Sequence, residues 1–209
     1  MRHDSIMIPA RRIIVRKSDV PMQMFTLYDG WAFRFVLLPD GRRQILSFLL
    51  PGDLIGIQAI YGDPLRFSVQ ALTDVTLCAF NAKEIAEAMQ KSPAQMKHLV
   101  ARSIREAADA DNRVIGLGRR TATERVAGLI LKLTNALKRR KSVPGENFAF
   151  PLRQEHIADA LGLTAVHVSR TISILRDEGA ISLERNILTI RDRQRLTELA
   201  DHNEALALT

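Results

Sequence analysis

The stretch RQEHIADALGLTAVHVSRTISILR, from Arg153 to Arg176, decides the fold class of this 209-residue chain. Ile157 and Leu161 lie four apart and define the buried side of a first helix, while Ala158 is small enough for a second helix to cross closely. Gly162 permits a tight turn, because it takes positive φ without a Cβ clash. Leu163 then fills the space between the helices, and Thr164 is a natural N-cap for a second helix whose inward residues are Val168, Ile172 and Leu175. The order of small residue, glycine, plug and cap is what two helices crossing steeply through a short turn require, so the stretch reads as a helix-turn-helix. His167, Ser169 and Arg170 remain outward near the start of the second helix. An α-helix fits the major groove of B-DNA, where an arginine can donate two hydrogen bonds to guanine O6 and N7. The competing reading is an ordinary helical hairpin with solvated polar residues.

The flanks favour the first reading. Beyond Gly179, residues 180–183 and 186–190 read as two strands around Glu184 and Arg185, a wing, with a terminal helix from about residue 192 to 206. Upstream, TATE at residues 121–124 is a capping-box pattern, a hydroxyl for an orphan amide and a carboxylate to reach back. It opens a helix with the apolar stripe Val126, Leu129, Ile130, Leu133 and Leu137. A basic cluster at 138–141 and a Pro/Gly-containing loop at 142–146 follow.

Further upstream, Ser92-Pro93 signals the start of a long helix that Gly116 and Gly118 are expected to end. Met96, Val100, Ser103, Ala107, Ala110, Val114 and Leu117 recur at alternating spacings of four and three, the seam of a coiled coil. Small seam residues let two helices approach closely, so the segment reads as a dimerisation helix, against the plainer alternative of a helix packed on its own domain. A short helix is expected over 82–90. From Ile13 to about Phe80, short apolar runs alternate with turn signals at Asp29-Gly30, Asp40-Gly41, Gly52-Asp53 and Gly62-Asp63-Pro64, the pattern of an all-β roll or barrel. Asp40-Gly41 is the clearest hairpin, with Phe33, Phe35, Leu37 and Ile45 as its inward face.

Bulk properties agree with two domains. With 46% hydrophobic residues the chain can bury one large core or two small ones, and its length favours two. Its 30 basic residues against 23 acidic favour a polyanionic partner. The excess is spread along the chain, so a nucleic-acid surface must come from local arrangement. With Cys78 as the one cysteine, no intrachain disulfide, cysteine-ligated iron-sulfur cluster or Cys-rich zinc site forms within a subunit. No apolar stretch approaches the roughly 20 residues of a membrane span, and the N-terminus lacks a signal-peptide core, so a cytoplasmic protein without membrane contact is expected.

Over nearly its whole length the sequence resembles the family of the cyclic-AMP receptor protein and the FNR regulator. The matching segments are LPDGRRQI at 38–45, FLLPGDLIG at 48–56, ALTDVTLC at 71–78, TERVA at 123–127 and, most specifically, the helix-turn-helix. The resemblance implies an α+β chain: an N-terminal cyclic-nucleotide-binding-like β-roll over 1–92, a long dimerisation helix over 93–118 and a C-terminal winged helix-turn-helix over 119–209. It further implies a homodimeric transcription regulator on palindromic double-stranded DNA, with RNA polymerase as a further partner. Carried over by position, Thr123, Gln154, Thr164 and His167 look like phosphate contacts, and Ser169 and Arg170 face bases. Thr123 and Thr164 have a plainer reading as helix caps, and Gln154 and His167 as solvated residues. The family usually has glutamate four residues before the arginine, where this chain has Val166, which can touch only a thymine methyl. The half-site is therefore expected to differ from the family's usual one.

The effector region departs further. Members that bind cyclic AMP resemble Gly-Glu-Leu-Gly followed by Arg-Ser, whereas here Gly56 precedes Ile57, Gln58 and Ala59, and the second segment reads Leu65, Arg66, Phe67, Ser68. The adenine-facing hydroxyls of the long helix appear as Ala110 and Asp111. Loss of these charge-assisted bonds disfavours cyclic AMP, leaving Gly56, Gln58, Arg66 and Ser68 as candidates for another effector. The N-terminal cysteine cluster of the FNR type is also missing, which disfavours an iron-sulfur cofactor. Cys78 reads as a small hydrophobe in a strand and His98 as a solvent-facing helix residue; no cofactor is expected, although haem stays open and the effector is unassigned. No glycine-rich phosphate loop, metal-spaced His/Glu pair or nucleophile elbow is present, which argues against an enzyme. The alternative function is a ligand-binding regulatory module acting through protein contacts, its DNA-binding domain degenerate.

Overall fold

Period-two alternation builds the N-terminal part of the chain. Strand β8 (Val75–Asn81) buries Val75, Leu77 and Ala79 and leaves Thr76, Cys78 and Phe80 half-covered, as a strand with one face on a core must. The computed structural model describes residues 4–140 and 145–200, apart from the side chain of Gln95. They divide into two units, Met1–Asp111 and Asn112–Thr209.

In the first unit the strands preceding β8 are β1 (Asp4–Ile8), β2 (Ile13–Val15), β3 (Gln23–Asp29), β4 (Ala32–Leu37), β5 (Arg43–Leu49), β6 (Leu54–Ile55) and β7 (Ser68–Ala71). They form two four-stranded antiparallel sheets, ordered β1-β8-β3-β6 and β2-β7-β4-β5. Leu27, Ala32, Ile55, Leu65, Val69 and Leu77 make the centre of their shared core. Gly30 joins β3 to β4 at φ +86°, where a Cβ would stand 2.2 Å from the Asp74 carbonyl, so no other residue fits. Edge strand β2 is three residues long and is flanked by the exposed cations Arg11, Arg12, Arg16 and Lys17.

The hairpin at Asp40-Gly41 joins β4 to β5, with the Asp40 carboxylate accepting from the Arg42 amide at 3.0 Å. Phe33, Phe35 and Ile45 are buried. Leu37, expected inward with them, is instead 62% exposed. The in-out alternation of β4 holds through Phe35, but Leu37 ends its strand at the mouth of the hairpin, past the edge of the core. After a 3-10 turn at Ile57–Tyr61, helix α1 (Ala82–Gln90) is capped by the Asn81 side chain.

Helix α2 (Pro93–Arg119) starts where Ser92-Pro93 indicates and ends one residue beyond Gly118. It continues through both glycines, with the Arg120 amide donating to the Gly116 carbonyl at 3.1 Å. Intact backbone hydrogen bonds thus override the low helix propensity of glycine. Met96, Val100, Ser103, Ala107, Ala110, Val114 and Leu117 are all exposed in the single chain.

The second unit packs α3 (Ala122–Arg139), α4 (Gln154–Leu161), α5 (Ala165–Asp177) and α6 (Arg193–Ala200) with a small sheet. Val126, Ile130, Ile157, Val168, Leu175, Leu188 and Leu196 are buried in its core. The Thr121 hydroxyl accepts from the Glu124 amide and the Glu124 carboxylate accepts from the Thr121 amide, which is the reciprocal cap read from the sequence. The buried Thr171 donates its hydroxyl to the His167 carbonyl at 2.9 Å, so no polar atom is stranded there.

The wing comprises β10 (Ile181–Glu184) and β11 (Ile187–Ile190), which are joined by Arg185 and Asn186 at φ +47° and +64°. The turn falls one residue later than expected, and β9 (Asn147–Ala149) adds a third strand in the order β10-β11-β9. The Glu146 carboxylate bonds Lys138 and, at 2.7 Å, Arg193, drawing α3 and α6 to the start of β9. The expected loop at 142–146 lies partly, and the terminal helix beyond Ala200 wholly, outside the described residues.

Candidate nucleic-acid interface

Helix α4 ends at Gly162, which takes φ +64° and lets the Leu163 amide donate to the Ala158 carbonyl at 3.1 Å. Thr164 then turns the chain into α5, its hydroxyl accepting from the His167 amide at 3.2 Å. Val168, Thr171, Ile172 and Leu175 are buried and anchor α5 from behind. His167 and Arg170 are exposed and Ser169 is half-covered on the outward side. Arg170 has no ion-pair partner among the described residues, so its guanidinium keeps its donors for an outside ligand. Gln154 is the exposed first residue of α4, and Thr123 is the half-buried second residue of α3. The capping role open to Thr123 belongs to Thr121; Thr164 does cap its helix.

A residue that sequence patterns did not single out holds this region together. The Arg125 guanidinium donates to the Arg120 carbonyl at 2.8 Å, to Leu117 at 3.0 Å and to Leu161 at 3.2 Å. It thereby satisfies carbonyls at the ends of α2 and α4, which helices leave unpaired. Leu117 also packs at the turn itself, its Cδ2 lying 3.1 Å from where a Cβ on Gly162 would stand. Only the TERVA segment hinted at Arg125; its partners could not be read from periodicity.

The four effector candidates lie in the first unit, in surroundings of different kinds. Gly56 takes φ +78° ahead of the 3-10 turn. Gln58 sits in that turn, with its buried Oε1 lacking a hydrogen-bond partner among the described residues. Arg66 is exposed, and the Ser68 hydroxyl accepts from the Lys17 amide at 2.9 Å, a bond that fastens β2 to β7. These positions thus offer a neutral amide, an exposed arginine and an engaged hydroxyl, with no carboxylate among them.

A charged network unforeseen from the sequence lies elsewhere in this unit. Arg34 donates to the Ser47 hydroxyl at 2.7 Å, stands 5.1 Å above the Phe67 ring and pairs with Glu106 of α2 at 3.5 Å. Arg102 bridges Glu106 at 3.3 Å and Asp53 at 3.4 Å. The first part of α2 is thus fastened to the roll by the chain's own charges. Cys78 is half-buried in β8 and His98 is exposed on α2. Among the described residues no group of His, Cys, Asp and Glu could hold a metal ion, and no helix is long and apolar enough to cross a membrane.

Comparisons with known proteins agree with this geometry. Residues 124–199 match the model of the Crp-like helix-turn-helix domain, and residues 6–92 match that of the cyclic nucleotide-binding domain. The chain is 37% identical to the transcriptional activator protein FnrL of Cereibacter sphaeroides, over 91% of its own length and 78% of that protein. It is 32% identical to the nitrogen fixation regulation protein FixK of Bradyrhizobium diazoefficiens, over 90% of its length and 78% of the relative. Among solved structures, FixK2 from Bradyrhizobium japonicum superposes with a TM-score of 0.87 at 28% identity, covering 96% of this chain and 98% of that one.

Proposed function

The chain belongs to the Crp/Fnr family of transcription regulators, and from that premise we propose that it acts in the cytoplasm as a homodimer on palindromic DNA. It is a DNA-binding regulator, not an enzyme. The reading assigns residues 1–92 to a sensor-like roll, 93–118 to the dimerisation helix and 119–209 to the DNA-binding domain. Arg170 and Ser169 face base edges, while Thr123, Gln154, Thr164 and His167 meet phosphates. The observation that carries this reading is the outward side of α5, where a guanidinium without an ion-pair partner among the described residues stands on a helix anchored by four buried residues. The exposed seam of α2 supports a dimer, since coiled-coil pairing would cover it. RNA polymerase is the expected further partner.

The roll's effector is not cyclic AMP in this reading. Gly56, Gln58, Arg66 and Ser68 offer polar groups to a different small molecule, with the buried Gln58 carbonyl lacking a partner among the described residues. An effector shifts the protein between DNA-competent and incompetent states only if it binds them unequally.

The test is binding of the full chain to a duplex selected from a random-sequence pool. Specific affinity should fall steeply with salt, as counterion release requires, and Arg170→Ala should lower it about fivefold to a hundredfold per half-site. Uniformly weak affinity with little salt dependence would instead favour a module acting through protein contacts.

A further inference from the structure

Val166 is the second residue of α5, and its side chain is 59% exposed. Nothing in the helix's own construction calls for an apolar, β-branched side chain there. A helix start is stapled by the residue before its cap and the fourth helical residue, and these are Leu163 and the buried Val168. Val166 belongs to the opposite side. It lies three and four residues before Ser169 and Arg170 and seven before Ser173, so the four form one outward stripe, while Val168, Thr171, Ile172 and Leu175 face the core.

We propose that Val166 reads the C5 methyl group of a thymine in each half-site. The inference rests on the DNA-binding reading and adds to it the chemistry recognised beside Arg170. Duplex DNA is the occupant to which the surface commits, because this apolar side chain stands beside the Arg170 guanidinium, which has no ion-pair partner among the described residues, and residues 112–209 hold 16 Lys and Arg against 11 Asp and Glu. On a major-groove floor the apolar feature open to such a side chain is the methyl that thymine carries and cytosine lacks. Four residues of helix rise about 6 Å against about 3.4 Å per base pair. The thymine therefore stands within about two base pairs of the guanine that Arg170 reads.

The experiment uses the full chain and the duplex selected above. Each thymine in a half-site is replaced in turn by deoxyuridine, which deletes the methyl and keeps the pairing. Wild-type protein should bind about fourfold less tightly per half-site at one position within two base pairs of the guanine, the loss expected for one buried methyl. Val166→Ala should bind thymine and uracil duplexes equally at that position, with an unchanged melting temperature because the side chain is exposed. This control separates methyl contact from altered DNA stiffness. If no uracil substitution weakens the wild type, or Val166→Ala keeps the discrimination, the methyl contact is overturned. Should Arg170→Ala still abolish specific binding in that case, the DNA-binding reading stands without it. Absence of sequence-selective binding by the wild type would overturn both.

Discussion

Arg125 reaches 36 residues along the chain to donate to the carbonyl of Leu161, at the last residue of α4. The same guanidinium holds Leu117 in the last turn of α2. Arg125→Ala is therefore expected to lower stability by about 1–3 kcal/mol, since up to three carbonyls lose a charged donor while some regain water. Arg125→Lys should rescue only part of this, because an ammonium cannot present the planar fork that reaches three sites. Urea denaturation of the full-length variants measures both.

Gly162→Ala combines two costs. Alanine disfavours φ +64°, and its Cβ would stand 3.1 Å from the Leu117 side chain. A loss of about 1–2 kcal/mol is expected, read as a lower urea midpoint with the slope unchanged. Gly41→Ala, with nothing within 4 Å of its new Cβ, isolates the backbone share because it too sits at positive φ.

Val114→Glu introduces charge into the α2 seam at a position exposed in the single chain. The variant should retain its fold and sediment as a monomer under conditions in which the parent is a dimer. Its affinity for a full palindrome should drop toward that for a single half-site. A variant still dimeric by sedimentation would show that the seam is not the interface.

Arg193, and then Lys138, hold the Glu146 carboxyl below the usual carboxylate value of 4.5. A depressed folded value means that the stability contributed is present above that pH and disappears as pH falls through the lowered value. The pair is part-exposed, so solvent screening limits the effect to under about 1 kcal/mol. The stability difference between wild type and Glu146→Gln should therefore be small near neutrality and vanish in acid, which pH-dependent denaturation can follow.

The helix-turn-helix was legible because its rules are local. Gly162, Thr164 and the inward residues of α5 lie within a few positions of one another, and each has one steric or hydrogen-bonding task. The same is true of Thr121 with Glu124. Arg125 was not legible, because a guanidinium that serves carbonyls 8 and 36 residues away leaves no periodic trace. Arg34 sits in a strand pattern that assigns it to water, and only the fold brings Glu106 to it. Strand β9 has three residues, too few to show alternation. The wing turn lies one residue beyond the position read from the sequence; neither Arg185 nor Asn186 is a glycine to mark it, although both take positive φ.

The flanking of β2 by Arg11, Arg12, Arg16 and Lys17 bears on how the protein behaves when concentrated. A sheet margin offers unmet amides and carbonyls to any passing strand, and in a crowded cell that invites runaway stacking of one copy on the next. Three residues of short margin bracketed by four exposed cations give an incoming copy little to grip and a like charge to overcome. Replacing those cations with neutral residues would be expected to leave folding intact while shortening the solution's shelf life.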